Sequence, residues 1–380
     1  MSEQQYYHGD DSWKKIGAFL DELEAKRILL VTGRSAYQLS GAGEALAPHL
    51  EGRSVTRVSD FETNPKAEDI SRLLKEIESK GDYDVIVAVG GGSVMDMAKL
   101  LKAFWAGNPL IEDYFADDCP DKVSPCALPL IAVPTTAGSG SEATKFAVVY
   151  KDQQKFSVEH ERLLPALAVV IPSLLASMPP HIAASSGMDA LCQGIESYWS
   201  IHSTDESRQL AAQAIGLAWE SIEEAVLERT PEALENMAIA SHFAGRAINI
   251  TRTTAPHAVS YPMTSYFGIT HGHAVGLLAT HFLCYNGGVS EEDCNDPRGP
   301  DWVRNRLGEI VAMLGAGSIE EASDALARKL ESVGLETNLH ELGIKTERDR
   351  ETIVKHFSPD RAKNNPREVS KEELMNWLSS

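Results

Sequence analysis

Four side chains in the second half of the sequence could together hold a divalent cation. Asp189 and Gln193 are four residues apart, so on a helix they would share one face. His257 and His271 lie fourteen positions apart, with proline and glycine between them. A carboxylate combined with imidazoles suits Fe²⁺ or Zn²⁺. The open alternative is that these histidines are ordinary surface or core residues.

A second pattern is a glycine-rich turn that follows an apolar run typical of a buried strand. Residues 84–89 form the apolar run, and Gly90–Ser93 follow it directly, ahead of a helical segment. Glycine lets the backbone approach an anion, and a helix N-terminus presents free N–H groups to it. We therefore predict that Gly91, Gly92 and Ser93 bind a phosphate. The alternative is a tight turn that needs a positive φ, and the spacing is not the GxGxxG of a Rossmann turn.

The segment 134–142, PTTAGSGSE, is a second loop that follows a strand-like run. Its hydroxyl groups and amides suit the phosphates or ribose of a nucleotide, although a plain loop would have the same composition. Ligands of α/β proteins bind at the carboxyl ends of parallel strands. Two such loops at one sheet edge together favour a nucleotide site more strongly than either loop does alone. We predict that this site includes Thr135, Thr136 and Ser141.

The elements that must position these residues change in character near residue 178. Before this point strand-like runs alternate with helical segments, which predicts a parallel sheet covered on both faces. Beyond it helical periodicity dominates and strand-like runs are scarce. We predict an α/β nucleotide-binding domain over residues 1–178 and an all-α domain over residues 179–380. The predicted strands are 27–33, 84–89 and 128–133, and the predicted helices are 67–80, 94–106, 182–201, 206–229, 231–248 and 319–333.

Composition disfavours several classes of function. The chain has 380 residues, with 35 Lys and Arg against 55 Asp and Glu, and its formal charge of −20 argues against binding to nucleic acid. Five cysteines without a CxxC pair argue against a disulfide framework or a thiolate zinc site. The N-terminus has no signal-like apolar segment, and no apolar run is long enough to span a bilayer. We expect a cytoplasmic protein that binds no membrane.

Four motifs, in order, resemble those of the iron-containing (group III) alcohol dehydrogenase family, and the resemblance extends over most of the chain. They are GGGSVMDMAK from Gly90, PTTAGSGSE from Pro134, GMDAL from Gly187 and NNPR from Asn364. The resemblance implies a dehydroquinate-synthase-like fold, with a nucleotide-binding α/β domain followed by a helical domain that binds metal and substrate. It also implies reversible hydride transfer between a nicotinamide coenzyme and a small aldehyde or primary alcohol, in a homodimer or larger homo-oligomer.

The resemblance further implies that Asp189, His257 and His271 hold the metal, Fe²⁺ or Zn²⁺. A histidine that is the fourth ligand in the family is replaced here by Gln193, whose neutral amide oxygen is a poorer donor than imidazole. We therefore expect a weaker or more exchangeable metal than is usual in the family.

Two residues are expected to move the proton. The family usually has a histidine where this chain has Tyr261. The proton would then reach the substrate oxygen through Tyr261, His273 or water.

One residue is expected to read the charge of the substrate. Arg252 precedes His257 by five positions, and a guanidinium suits bidentate pairing with a carboxylate, phosphate or phosphonate. The stretches AINITRTTAPHA and IESYWS resemble the phosphonoacetaldehyde reductase branch of the family. We therefore expect an anionic aldehyde such as phosphonoacetaldehyde. The alternative is that Arg252 forms an ion pair with an acidic neighbour.

The coenzyme-binding set extends to the end of the first predicted strand. In many NAD-preferring members of the family this strand ends in an Asp that binds the adenosine ribose, whereas here it ends in Gly33, followed by Arg34 and Ser35. Nothing repels a 2′-phosphate there, and Arg34 could pair with it or point into solvent. We expect NADP(H) in preference to NAD(H). The predicted set is Gly33, Arg34, Ser35, Gly91, Gly92, Ser93, Asp96, Thr135, Thr136 and Ser141.

Three other functions stay open. The chain could act as a generic alcohol dehydrogenase on uncharged alcohols. It could be a dehydroquinate-synthase-like cyclase, because HGHAV from His271 is close to HGEAV in that family. It could also be a binding protein that has lost its metal, as Gln193 would allow.

Overall fold

A parallel sheet of six strands forms the framework of the N-terminal half. In the computed structural model, which describes residues 4–105, 111–116, 123, 125–152 and 154–379, the strands are β1 (Gln5–His8), β2 (Arg27–Thr32), β3 (Ser54–Val58), β4 (Val85–Gly90), β5 (Leu130–Pro134), β6 (Phe146–Lys151), β7 (Gln154–Glu159) and β8 (Leu167–Val170). The sheet order is β1-β8-β5-β4-β2-β3, and all of its pairings are parallel. Strands β6 and β7 form a separate antiparallel pair.

Helices cover both faces of this sheet, because its central strands are buried along nearly their whole length. They are α1 (Trp13–Glu22), α2 (Ala36–Leu39), α3 (Ala42–Leu50), α4 (Ala67–Glu78), α5 (Gly92–Phe104) and α6 (Ile111–Ala116). Along β2, Ile28 and Leu30 belong to the apolar core that includes α1 and α3, whereas Leu29 and Val31 belong to the core that includes α4 and α5. The two-residue period of a strand produces this alternation.

The C-terminal half is helical. Its helices are α7 (Pro180–Trp199), α8 (Asp205–Leu227), α9 (Pro231–Thr251), α10 (Ala255–Phe267), α11 (His271–Gly287), α12 (Pro300–Met313), α13 (Ile319–Ser332), α14 (Glu347–His356) and α15 (Lys371–Ser379). Helix α7 packs against α8, α9, α11 and α12, and most of its residues are buried. The contacts of the chain define two compact units, Met1–Met178 and Pro179–Ser380, called here the first and second units.

The predicted fold class, an α/β half followed by an all-α half, is confirmed. Several elements are absent from the sequence prediction. Strands β1, β3, β6 and β7 mix exposed and buried positions and so lack a continuous apolar run, and β8 has four residues. Helices α10 and α11 were not predicted, because the prolines and glycines within and between them interrupt the helical pattern. The last predicted residue of helix 94–106 lies outside the described residues. In the part of the chain that the structure describes, no helix is both long and apolar enough to cross a membrane.

Candidate metal and coenzyme sites

The metal-ligand candidates lie on three helices of the second unit. Asp189 and Gln193 occupy successive turns of α7, His257 lies in the first turn of α10, and His271 is the first residue of α11. One ligand atom each from Asp189, His257 and His271 lie within 4.8 Å of one another. Nε2 of His257 is 3.2 Å from Oδ1 of Asp189. The fold therefore brings together residues that are far apart in the sequence.

Two buried oxygens of this cluster, Oδ1 of Asp189 and Oε1 of Gln193, fit a cation because neither accepts a well-aligned hydrogen bond from the described residues. The donor nearest to Oδ1 of Asp189 is Nε2 of His257, at 3.2 Å, which is itself a candidate metal ligand. A buried acceptor without a partner costs free energy, which a bound cation would recover. Burial raises the pKa of Asp189, but contact with His257 and the charge of His271 lower it more, so this group stays a carboxylate. Two oxygens and two imidazoles are a donor set suited to Fe²⁺ or Zn²⁺.

Close packing of α11 on α7 brings His271 to Asp189, and it depends on Gly272. A Cβ at Gly272 would overlap the carbonyl oxygen of Ser185 on α7 and lie 2.8 Å from Cβ of Asp189. The backbone N–H of His273 donates to the hydroxyl of Ser185 at 3.3 Å. Glycine is required here because one backbone lies directly against another.

Glu196 is a functional candidate that the sequence prediction missed. It lies seven residues after Asp189 on α7 and is fully buried. Its Oε1 accepts a hydrogen bond from Nδ1 of His257. This bond turns Nε2 of His257 toward Asp189, which is the usual arrangement of a carboxylate behind a metal-bound histidine. The available signal was an acidic residue two helical turns after Asp189, on a helix that is otherwise largely apolar.

The protonation of the two histidines follows from their partners. Burial lowers the pKa of His257, but Glu196 and Asp189 raise it, to about 10. Ser260 donates its single hydroxyl hydrogen to the carbonyl of His257 at 2.8 Å and lies 3.3 Å from Nδ1 of His271. Nδ1 of His271 must therefore carry the hydrogen of that contact, which leaves its Nε2 available to a cation.

The two candidates for proton transfer have different surroundings. Tyr261 stacks on His271, with 5.9 Å between ring centroids and 14° between ring planes, and the guanidinium of Arg361 lies 5.3 Å from the centroid of its ring. His273 instead places Nε2 at 2.6 Å from the backbone oxygen of Glu336. Burial lowers the pKa of His273 and outweighs the effect of that contact. His273 is therefore a neutral imidazole that donates to a carbonyl.

Arg252 lies at the turn between α9 and α10, in a backbone conformation that is rare for a side chain larger than glycine. Its φ is 63° and its ψ is 173°. Any residue other than glycine pays about 1–3 kcal/mol of conformational strain to adopt such angles. We call residues 251–254 the corner. The side chain is half-buried, and burial lowers the pKa of the guanidinium.

The two predicted coenzyme loops are neighbours. Strands β4 and β5 pair in parallel with Gly90 opposite Pro134, and the N–H of Thr135 donates to the carbonyl of Gly90 at 3.0 Å. A Cβ at Gly91 would lie 3.1 Å from Thr136. At Gly92 it would lie 2.8 Å from the hydroxyl of Ser139. These glycines thus allow one loop to pack on the other, whatever ligand they bind.

Asp96 and Ser141, predicted as coenzyme ligands, bond to each other. The hydroxyl of Ser141 donates to Oδ1 of Asp96 at 3.0 Å. Nζ of Lys99, which is fully buried, donates to the backbone oxygen of Ser141 at 2.6 Å and to its hydroxyl oxygen at 3.0 Å. This network fastens the end of the second loop to α5. The sequence prediction missed Lys99, although it lies one turn after Asp96 on the same helix.

The end of β2 shows how the remaining predicted ligands are placed. Arg34 forms an ion pair with Asp60 at 2.8 Å, and both side chains are largely exposed. The backbone oxygen of Gly33 accepts a bond from Arg57 at 3.3 Å. Ser35 precedes α2 and makes no side-chain cap. The hydroxyl of Ser93, one strand away, accepts from the N–H of Asn64 at 3.0 Å.

The NNPR motif fastens the C-terminal segment to the second unit. Asn365 is buried and donates to the side-chain oxygen of Asn286 at 2.8 Å. Arg367 donates to the backbone oxygen of Tyr285 at 2.7 Å and to Asp293 at 2.7 Å. The motif therefore has a structural role in this chain.

Both halves of the chain match families of known enzymes. Residues 3–172 match the family described as iron-containing alcohol dehydrogenase, and residues 183–380 match the C-terminal domain of the Fe-containing alcohol dehydrogenase family. The phosphonoacetaldehyde reductase of Streptomyces viridochromogenes is 37% identical over 326 residues, which cover 83% of this chain and 80% of that protein. The 1,3-propanediol dehydrogenase of Citrobacter freundii is 30% identical over 376 residues, covering 97% and 94% of the two chains.

Solved structures agree with this result. The sulfoacetaldehyde reductase of Bifidobacterium kashiwanohense, solved in complex with NAD⁺, superimposes with a TM-score of 0.88 at 30% identity, covering 100% of this chain and 97% of the other. The family match and the identity to an aldehyde reductase show an oxidoreductase rather than a cyclase or a binding protein. The chain belongs to the iron-containing alcohol dehydrogenase family and is an alcohol dehydrogenase or aldehyde reductase.

Proposed function

We propose that this enzyme reduces a small aldehyde bearing an anionic group to its primary alcohol, with phosphonoacetaldehyde as the leading substrate. The observation that carries the substrate class is the corner, where the half-buried Arg252 is held in a strained backbone conformation. Strain of this kind persists only where the surrounding structure fixes it, and it clusters at functional sites. A phosphonate offers the oxygens that a guanidinium binds in bidentate fashion.

The relatives support an anionic aldehyde. Phosphonoacetaldehyde and sulfoacetaldehyde, the compounds named for two of them, are both acetaldehydes that carry an acidic oxygen-bearing group. The 1,3-propanediol dehydrogenase shows that family members with uncharged substrates are also similar to this chain. The choice between the two classes therefore rests on Arg252.

The proposed cation would be held by Asp189, Gln193, His257 and His271. When bound, a divalent metal supplies Lewis-acid polarisation of the substrate oxygen, and a nicotinamide supplies or accepts the hydride. The residues of the chain fix the donors. On binding a cation, Nε2 of His257 would lose its hydrogen, whereas Nδ1 would keep the hydrogen that Glu196 accepts.

We assign the proton to Tyr261, directly or through water. Tyr261 stacks on the metal-ligand candidate His271, which places its phenol beside the proposed site. His273 is less suited to this role, because its Nε2 already donates to the carbonyl of Glu336.

We propose that the loops after β4 and β5 bind the coenzyme, through Gly91, Gly92 and Ser93 on one side and Thr135 and Thr136 on the other. We prefer NADPH to NADH, because no carboxylate follows β2 directly. The ion pair of Arg34 with Asp60 is exposed, and such pairs contribute about 0–1 kcal/mol, so a 2′-phosphate could displace that carboxylate.

We also propose a homodimer or larger homo-oligomer, as the family resemblance implies.

The substrate proposal is tested by comparing phosphonoacetaldehyde with an uncharged aldehyde of similar size. We expect the parent enzyme to prefer the anion in kcat/KM. Arg252→Ala should reduce that preference about 10- to 100-fold, the equivalent of about 1.5–3 kcal/mol for a hydrogen bond to a charged group. If the parent shows no preference, or Arg252→Ala keeps it, the better assignment is an alcohol dehydrogenase for uncharged alcohols.

Arg252→Gly is the matched variant for this test. It removes the same guanidinium but also relieves the positive φ, so it should be more stable than Arg252→Ala by about 1–3 kcal/mol in urea unfolding. Equal loss of anion preference in both variants would show that the loss follows the side chain and not a change in stability.

Restoring the family ligand is expected to strengthen metal binding. In Gln193→His an imidazole replaces a neutral amide oxygen beside Asp189, and imidazole is the better donor for Zn²⁺. We expect zinc affinity, measured by competition with a chromophoric chelator, to rise at least about tenfold. Unchanged affinity would mean that residue 193 does not contact the metal.

A further inference from the structure

The two carboxylate oxygens of Glu196 bind two different parts of the proposed active site. Oε1 accepts from Nδ1 of the metal-ligand candidate His257. Oε2 accepts from the backbone N–H of Thr254 at 2.7 Å and from the hydroxyl of Thr254 at 2.9 Å. We propose that Glu196 is a positioning residue that holds the anion-reading Arg252 in register with the metal ligand His257, an inference that rests on the proposed function.

The corner is attached to α7 at both of its ends. Thr251, at its start, shares a hydrogen bond of 2.7 Å with the hydroxyl of Ser197. Thr254, at its end, accepts at its hydroxyl from Nε1 of Trp199 at 2.9 Å while donating to Glu196. Arg252 lies between these two attachments, so its strained conformation is imposed by residues of α7.

The C-terminal segment adds a third attachment. The side-chain amide of Asn364 donates to the backbone oxygen of Thr253 at 3.2 Å. The backbone oxygen of Asn364 in turn accepts from the N–H of Ile201, just beyond α7. The residue that follows Arg252 is therefore held by the C-terminal segment as well.

The same helix carries two of the four metal-ligand candidates, Asp189 and Gln193. Asp189 lies two turns before Glu196 on α7, so this helix contacts the proposed metal at one point and the corner at another. His257 follows Thr254 by three residues, and Glu196 binds both of them. One side chain thus links the segment that reads the charge of the substrate to the segment that binds the metal.

A carboxylate is needed for this double contact, because every partner is a hydrogen donor. Nδ1–H of His257 lies on one side, and the N–H and O–H of Thr254 lie on the other. A glutamine has an acceptor oxygen on one side only and would turn its NH₂ toward a donor on the other. A buried carboxylate is also a poor device for stability alone, since its desolvation offsets much of the interaction that it gains.

Glu196→Gln tests the proposal with two readouts that are independent of each other. The first is Zn²⁺ affinity, measured by competition with a chromophoric chelator and without substrate. The second is the ratio of kcat/KM for phosphonoacetaldehyde to that for an uncharged aldehyde of similar size. We expect zinc affinity to fall about 10- to 100-fold and the ratio to fall at least about fivefold.

Two further variants separate positioning from stability. Thr254→Val keeps the shape of this buried side chain and leaves the bond from His257 to Glu196 in place. It should lower the ratio while zinc affinity stays within about threefold of the parent, because the histidine is still oriented. Asp296→Asn is the control. Asp296 is a buried carboxylate of the same unit bound to Arg298, so its loss should lower Tm and leave both readouts unchanged.

The outcomes distinguish this inference from the proposed function. If the parent prefers the anion, but Glu196→Gln changes only Tm, as Asp296→Asn does, then Glu196 merely stabilises the fold and the inference is wrong. If zinc affinity fell while the ratio of the two kcat/KM values stayed unchanged, Glu196 would position His257 only. That result would also overturn the proposed link to Arg252. A parent without anion preference would instead overturn the proposed substrate.

Discussion

Gly272→Ala is expected to disable the metal site and to weaken the fold. The new methyl group would overlap the carbonyl oxygen of Ser185 and lie 2.8 Å from Cβ of Asp189, and no side-chain rotation can relieve contact with a backbone atom. Helix α11 must then move away from α7, carrying His271 with it. Overpacking of this kind costs about 1–3 kcal/mol of unfolding free energy. Zinc affinity should fall by more than about 100-fold, beyond the usual effect of changing a residue behind the ligands.

The matched control is another glycine-to-alanine change in the same unit. A Cβ at Gly216, within α8, would meet no atom within 4 Å. Gly216→Ala should therefore raise the unfolding free energy by about 0.5–1 kcal/mol through helix propensity, without changing zinc affinity. If Gly272→Ala bound zinc and unfolded like the parent, the close approach of α11 to α7 would not be what assembles the ligands.

Lys99→Met is expected to release the second coenzyme loop. Nζ of Lys99 donates to the backbone oxygens of Ser141 and Phe146 at 2.6 and 2.9 Å and to the hydroxyl oxygen of Thr144 at 2.9 Å. Methionine fills a similar volume but leaves these acceptors, and the Asp96 network, without the cation. Removing one partner of a buried charged network costs about 3–5 kcal/mol. Because Thr135 and Thr136 lie on this loop, the Kd for coenzyme should rise more than about tenfold.

The pH dependence of unfolding gives a second readout. Burial lowers the pKa of Lys99 to about 8, although Asp96 and Glu142 raise it. In the unfolded chain the same amine has its ordinary pKa of 10.5, so between these values the unfolded state binds more protons. The unfolding free energy of the parent should therefore gain a contribution as the pH rises from about 8 toward 10.5, and Lys99→Met should lack that contribution.

Lys102→Met is the control for this prediction. Lys102 is also buried and lies on the same helix, but its charge is near Cys126 and Arg162 rather than the second loop. It should lower stability without changing the Kd for coenzyme. If Lys99→Met also kept the parent's Kd, the lysine would serve stability alone.

The sequence allowed prediction of the elements whose burial leaves a simple pattern. Strands β2, β4 and β5 are buried on both faces and read as continuous apolar runs. Helices α4 and α13 have one apolar face and read with a helical period. Edge strand β3 was not predictable in this way, because partly exposed strands carry no such run. The pattern reports burial, so it fails where burial is partial.

Candidates for binding metal and coenzyme could be identified from the sequence, because Asp189, His257 and the glycine-rich turn are recognisable by type and local spacing. The sequence could not determine what those residues contact. From the sequence, the glycine at position 92 could equally make room for a phosphate or for the side chain of Ser139. Only the structure shows that Ser139 lies against it. Arg34 reads as a phosphate ligand, and only the structure gives it Asp60 as a partner.

The contacts of the residues that hold the candidate site together are visible only in the folded chain. Glu196 and His257 are 61 positions apart, and Lys99 and Ser141 are 42 apart. No local pattern records such a pair, because each contact forms only when separate elements pack. Burial makes these contacts important for stability, because a buried charge that loses its partner cannot be solvated by water instead.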